Sequence, residues 1–210
     1  PNPAILPGSR RRIAARVSWR IGKYYNRRVP PVYLDYHATT PVDPRVVDAM
    51  LPYFTDVFGN PASAGHQFGW RAQEAVERAR REVASIIAAA ARDIVFTSGA
   101  TESNNLAIAG IAEAADSARR HIAVSAIEHK SVLEGAARLG ASGWRVTELP
   151  VGPDGRLDMD VAARAITNDT ALVSVMAANN EIGVIQPLAE IGELAHRAGA
   201  MFHVDAAQAV

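Results

Sequence analysis

The stretch IVFTSGATESNN at positions 94–105 decides the fold, because it joins two kinds of element through a small-residue turn. Its apolar start predicts a strand from Ile94 to Thr97, and a helix is predicted to begin near Thr101. The free N–H groups of that helix's first turn, with the hydroxyls of Ser98 and Thr101, would form an anion site that fits a phosphate. An ordinary strand-to-helix turn with threonine as N-cap is the alternative.

On both sides of this stretch, short β-branched runs alternate with long alanine-rich helical runs. This alternation predicts an α/β fold with a mostly parallel sheet flanked by helices. Further strands are predicted at 121–125, 145–149, 171–176 and 201–204. Helices are predicted at 44–58, 69–91, 101–118, 131–139, 160–166 and 188–198. Asp43 and Pro44 suit the N-cap and first position of the first of these helices, which Pro52 is expected to kink or break.

Composition and charge exclude several classes of protein. The chain has 210 residues, 49% of them hydrophobic, and the apolar runs are too short to span a bilayer, which predicts a soluble protein. It contains no cysteine, which excludes disulfides and any thiol nucleophile within these residues. Eight of the 22 basic residues lie between Arg10 and Arg28, so the remainder of the chain is acidic, and nucleic-acid binding is not expected.

The basic segment, residues 1–31, reads as an N-terminal extension, and residues 32–210 as the domain that carries the chemistry. We expect the extension to be a flexible, solvated tail. An organelle transit peptide or a surface-binding arm are the alternatives. The protein is expected in the cytoplasm, or in a mitochondrion or other organelle if the extension is a transit peptide.

Polar residues follow the predicted strands at three further places, around His129, Asn180 and Asp205. Taken singly, His129 could be a satisfied polar residue and Asn180 a turn residue. Asp205 suits a cationic partner such as a protonated heterocyclic nitrogen, but it could also cap the next turn, and a metal pair with His203 has little support. Because all of these residues lie at the carboxyl ends of predicted strands, they could converge on one crevice.

Several motifs, in order, resemble the NifS/IscS group of cysteine desulfurases, which belong to the class V aminotransferase superfamily. They are YLDYHATTP at 33–41, GNPAS at 59–63, TSGATESN at 97–104, EHK at 128–130 and NNEIG at 179–183. The resemblance implies a pyridoxal phosphate (PLP) enzyme of fold type I, with this chain forming the transferase's large domain, incomplete at its C-terminus. The resemblance covers residues 32–210.

The resemblance also implies a role for each matching residue. Ala100 and Thr101 would hold the PLP phosphate, and Asp205 would pair with the pyridinium nitrogen. His129 would stack on the ring and take part in proton transfer, which makes it the catalytic residue. The remaining cofactor ligands would be Gln208, at the phenolic oxygen, and Asn180, at the cofactor or the substrate carboxylate. No metal is implied.

The implied reaction takes sulfur from L-cysteine, giving L-alanine and an enzyme persulfide for iron–sulfur cluster or thio-cofactor assembly. A selenocysteine lyase or another class V PLP enzyme, and a non-catalytic subunit or fragment of this fold, are the alternatives. A homodimer and a sulfur-acceptor protein, such as an iron–sulfur scaffold, are the implied partners. The family's PLP-binding lysine, catalytic cysteine and substrate-binding arginine lie beyond the residues matched here. We therefore expect this chain to be an N-terminal portion that is inactive alone, in which the strand at 94–97 lacks its sheet neighbour.

Overall fold

The computed structural model describes residues 31–209, and the predicted basic extension falls almost wholly outside them. The chain divides into two units, with the boundary between Tyr36 and His37. Of the first unit, residues 31–36 are described, and there the ring of Tyr33 lies edge-on to that of Tyr36, with centroids 5.3 Å apart.

The second unit contains a sheet of four parallel strands with helices between them in the sequence. The strands are β1 (His121–Ser125), β2 (Arg145–Leu149), β3 (Thr170–Ser174) and β4 (Met201–His203), in the spatial order β2-β1-β3-β4. The helices are α1 (Pro44–Thr55), α2 (Gln67–Ile86), α3 (Ala100–Ala114), α4 (Lys130–Ala141), α5 (Met159–Ala165) and α6 (Leu188–Arg197). The predicted mostly parallel α/β sheet flanked by helices is confirmed.

The core has two layers because successive side chains of a strand point to opposite faces. Ile122 and Val124 of β1 pack on one face, in a buried cluster with Ile108 of α3 and Val132 of α4. Ala123, on the other face, belongs to a second cluster that contains α5 and α6 residues. Helices therefore cover both faces of the sheet, which leaves its carboxyl edge free to carry polar groups.

The predicted strand from Ile94 to Thr97 is wrong for the part of the chain that the structure describes. The backbone is extended, with φ −85° and ψ 125° at Ile94, but it pairs with no strand among residues 31–209. A strand forms only where a neighbour takes up its N–H and C=O groups. Here the guanidinium of Arg80 donates to the Ile94 carbonyl and lies 5.0 Å from the centroid of the Phe96 ring instead.

Helix α1 passes through Pro52 and continues to Thr55, so the predicted break does not occur, while a kink at Pro52 stays a prediction. It begins as expected, because the carboxylate of Asp43 accepts the N–H of Arg45 at 2.8 Å and Pro44 occupies the first turn. Proline costs a helix one hydrogen bond and a clash with the preceding turn. No residue of α1 is buried, so water can satisfy the carbonyl that loses its donor.

Candidate functional site

One cavity of about 460 Å³ lies at the carboxyl edge of the sheet, and all six residues predicted to bind the cofactor line it. They are Ala100, Thr101, His129, Asn180, Asp205 and Gln208. Each follows a strand or opens a helix, so the parallel strands bring residues separated by more than a hundred positions to the same edge. The cavity volume lies in the range of small-molecule sites.

The N-terminus of α3 supplies unpaired hydrogen-bond donors to this cavity. Its N-cap is Gly99, whose φ of 153° favours glycine, and no side chain caps the helix. The first hydrogen bond of the helix runs from Ser103 N–H to Gly99 O at 3.1 Å. The N–H groups of Ala100 and Thr101 consequently have no acceptor among the described residues, and they form part of the positive end of the helix dipole.

The alternative interpretation of this turn, with threonine as N-cap, does not hold, and the predicted role of the Ser98 hydroxyl needs correction. That hydroxyl donates to the carboxylate of Glu102 at 2.5 Å, and the Ser98 N–H donates to the same oxygen at 2.7 Å. Both bonds lower the pKa of Glu102, and the bond from the hydroxyl has the larger effect. Ser98 is therefore engaged within the turn, and the donors left for an anion are the backbone N–H groups of α3 and the hydroxyl of Thr101, which lines the cavity.

Asp205 places a buried carboxylate in the same cavity. Its side chain is 8% exposed, with one oxygen accepting from Asn104 Nδ2 at 2.8 Å and the other from Ala207 N–H at 3.0 Å. No Lys or Arg among residues 31–209 forms an ion pair with it. A buried carboxylate that is hydrogen-bonded but has no cationic partner is suited to bind a cationic group of a ligand.

His129 is the N-cap of α4, and its ring is held by the residue two positions on. Its Nδ1 lies 2.7 Å from Ser131 Oγ and accepts the Ser131 N–H at 3.2 Å. The ring is part-buried and lines the cavity between α3 and Asp205. Its position is thus compatible with both predictions for His129, that it is an ordinary satisfied polar residue and that it faces a ligand.

Asn180 and Gln208 are joined through His37, which sequence reasoning did not select as a site residue. His37 Nδ1–H donates to the Asn180 carbonyl at 2.9 Å, and Gln208 Nε2 donates to the His37 carbonyl at 3.2 Å. His37 also lines the cavity. The only signal for it was its place in the motif at 33–41, since nothing in its spacing connects it with residues 143 positions later.

Glu128, next to His129, is buried with one carboxylate oxygen unpaired. Its Oε1 accepts the N–H of Met176, and its Oε2 has no hydrogen-bond partner among the described residues. Burial, partly offset by the hydrogen bond from the Met176 N–H and reinforced by the negative charge of Asp205, raises the pKa of Glu128 to about 7. Protonation of this carboxyl near neutral pH relieves the cost of burying a second negative charge beside Asp205.

The polar residues Lys130 and His203 do not line this cavity. Lys130 lines a neighbouring cavity, with Glu128 and Glu181, and is not among the residues that line the Asp205 cavity. His203 Nδ1 is hydrogen-bonded to Ser174 Oγ at 2.8 Å, and no group of three or more metal-ligating side chains occurs within residues 31–209. Within the same range, no helix is long and apolar enough to cross a membrane.

Comparison with known proteins shows one family whose members are similar to this chain in sequence. The family model described as aminotransferase class-V matches residues 32–210. The cysteine desulfurase IscS of Rickettsia bellii (strain OSU 85-389) is 56% identical over 183 residues, which is 87% of this chain and 45% of the relative. The chain thus spans about half the length of the curated relatives it matches.

Solved structures of similar proteins also superpose on this chain. A protein described as NifS-like superposes with a TM-score of 0.82 at 39% identity, covering 85% of this chain and 50% of the other. The structure described as SspA in complex with cysteine superposes with a TM-score of 0.80 at 40% identity, covering 84% and 51%.

Proposed function

The chain belongs to the class V aminotransferase family, and we propose that it forms part of a PLP-dependent cysteine desulfurase. In the proposed reaction, L-cysteine and an enzyme thiol give L-alanine and an enzyme persulfide, which passes its sulfur to iron–sulfur cluster or thio-cofactor assembly. The observation that carries this proposal is that six residues from four segments of the chain line one cavity. That cavity combines the N–H donors at the start of a helix with a buried carboxylate. The identity to IscS relatives narrows the reaction class.

The cavity fits PLP on the chemistry of its donor set. The cofactor carries a phosphate at one end and a pyridine nitrogen at the other, which matches N–H donors at the start of α3 and the carboxylate of Asp205. We propose that Ala100 and Thr101 bind the phosphate and that Asp205 holds the proton on the ring nitrogen. PLP supplies the electron sink that lets a bond to the substrate's α-carbon break, and that capacity depends on the ring nitrogen staying protonated.

The other three residues would orient the ligands. His129 would stack on the ring, where its imidazole limits the ring's motion and excludes water from one face. Gln208 would donate its amide to the phenolic oxygen of PLP. Asn180 would contact the cofactor or the carboxylate of L-cysteine, and the hydrogen bond from His37 to its carbonyl would hold it in place.

Two functional groups of the reaction must come from outside these residues. The chain contains no cysteine, so the thiol that receives the sulfur is supplied by other residues. Its only lysines are Lys23 and Lys130, and Lys130 lines the neighbouring cavity. We therefore propose that residues 1–210 alone bind the cofactor but do not release sulfur from cysteine.

The assembly and location are also proposals. We propose a homodimer that delivers sulfur to an acceptor protein such as an iron–sulfur scaffold, and that works in the cytoplasm. The named relatives are bacterial IscS proteins, and the structure in complex with cysteine supports L-cysteine as the substrate class.

The test is sulfur release by the protein expressed from its complete reading frame. With L-cysteine, PLP and a thiol reductant, we expect sulfide and L-alanine in equal amounts, and both should be lost in the Asp205→Ala variant. Selenide release from L-selenocysteine without sulfide release from L-cysteine would instead identify a selenocysteine lyase. Failure to turn over either amino acid, in a protein that binds PLP, would favour a non-catalytic subunit.

A further inference from the structure

A buried row of hydrogen bonds joins the two sides of the cavity. Asn104 Nδ2 donates to Asp205 Oδ2 at 2.8 Å and to Ser131 Oγ at 3.0 Å, and Ser131 Oγ lies 2.7 Å from His129 Nδ1. Asn104 is 3% exposed and Ser131 is 4% exposed. Three separate parts of the chain thus meet in one row, Asp205–Asn104–Ser131–His129.

The chemistry of each member fixes the direction of every hydrogen in this row. A carboxylate only accepts, so the Asn104 side chain must turn its NH₂ group toward Asp205. The second hydrogen of that NH₂ goes to Ser131 Oγ, whose own hydrogen is then free to donate to His129 Nδ1. Nδ1 accepts the Ser131 N–H as well. With two donors aimed at it, Nδ1 is the acceptor nitrogen of the ring, and a neutral imidazole carries its proton on Nε2.

We infer that Asn104 and Ser131 are positioning residues that hold His129 as the Nε2–H tautomer, and that the charge of Asp205 sets this orientation through Asn104. The consequence for chemistry, which rests on the proposed function, is that His129 offers the cavity an N–H donor and no lone pair. A group bound in the cavity would therefore receive a hydrogen bond from Nε2.

The tautomer can be read directly from the ring nitrogens of the chain without cofactor. The measurement is two-bond ¹H–¹⁵N correlation NMR of the histidine-labelled chain, at a pH high enough that the His129 signals no longer change. We expect a pyridine-type Nδ1 and a pyrrole-type Nε2. A pyrrole-type Nδ1 would overturn the inference.

Three variants test the row itself. Ser131→Ala removes the O–H donor. Asn104→Asp offers the Ser131 hydroxyl an acceptor, which draws its hydrogen away from His129. Both variants should therefore shift the Nδ1 resonance of His129 in the same direction. Ser131→Thr keeps the hydroxyl and should leave the resonance near its wild-type position. An unchanged Nδ1 resonance in either Ser131→Ala or Asn104→Asp would contradict the inference, because a purely structural role for these residues would leave it unchanged.

Backbone amide spectra of α3 and α4 serve as the control for folding in each variant. Since PLP is absent throughout, the outcome is independent of the proposed function. A chain with the expected tautomer that fails to bind PLP would refute the proposed function alone.

Discussion

Replacing Glu128 with glutamine should remove a pH dependence of stability that the buried carboxyl imposes. Glu128 is 6% exposed, one of its carboxylate oxygens has no partner among the described residues, and burial raises its pKa to about 7 from the ordinary glutamate value of 4.5. The folded state therefore keeps its proton between pH 4.5 and 7, where the unfolded chain has lost it. Stability should fall as the pH rises through this range, because the unfolded state binds fewer protons.

The size of this effect follows from the shift. Each unit of pKa difference corresponds to about 1.4 kcal/mol, so the contribution of Glu128 to the free energy of unfolding should drop by about 2–3 kcal/mol between pH 5 and pH 8. Glutamine has nearly the same shape, keeps an oxygen for the Met176 N–H and does not titrate. The Glu128→Gln variant should lack this drop while sharing every other titration with the wild type.

The assay is urea unfolding followed by tryptophan fluorescence at pH 5, 6, 7 and 8 for both proteins. The difference between the two free energies of unfolding isolates Glu128, because the opposite contributions of buried histidines are common to both. We expect the variant to gain on the wild type by about 2–3 kcal/mol from pH 5 to pH 8. A difference that stays constant over this range would refute the reasoning that Glu128 is protonated in the folded protein.

Three further predictions concern other parts of the molecule. His121 is fully buried between Thr147 and Thr170, and burial lowers its pKa to about 4. From pH 7 to pH 5 the His121→Gln variant should therefore gain about 2 kcal/mol in free energy of unfolding relative to the wild type; a difference between the two proteins that stays constant in urea unfolding would contradict this. In the PLP-loaded enzyme, Thr101→Ala should weaken PLP binding by about 1–2 kcal/mol in a fluorescence titration, and Asp205→Ala should reduce turnover more than retention of the cofactor. If the two variants changed PLP affinity equally and turnover equally, the separate roles of Thr101 and Asp205 would be refuted. Phe54 is 70% exposed and Val95 is 66% exposed, so light scattering at several concentrations should show self-association, and a stable 22.4 kDa monomer would argue against these surfaces being covered by another chain.

The sheet was predictable where strand neighbours lie within the described residues. The predicted bounds of β1 and β2 match the structure, since both are short β-branched runs that pair with each other along their whole length. The segment from Ile94 to Thr97 has the same local pattern but no such neighbour. A strand forms only when it is hydrogen-bonded to a neighbouring strand, so local propensity could not distinguish these cases.

The residues of the site were predictable because they follow strands, but the hydrogen bonds that connect them were not. The rule that ligands bind at the carboxyl ends of parallel strands brings His129 and Asp205 together. Asn104 lies within the motif that suggested a phosphate site, four residues after Ala100 and therefore on the same face of α3. That spacing was a usable signal for its orientation. Its hydrogen bond to Asp205, 101 residues later, depends on how α3 packs against the sheet, which the sequence does not reveal.

The central claim, that this cavity binds PLP through the start of α3 and the carboxylate of Asp205, is tested most directly by an NMR titration of the chain with pyridoxal phosphate. We predict saturable shifts concentrated at the backbone amides of Ala100 and Thr101 and at the side-chain amide of Gln208, with Asp205→Ala reducing the affinity less than Thr101→Ala. Saturable shifts centred elsewhere in the chain, or no shifts at millimolar cofactor, would contradict the account.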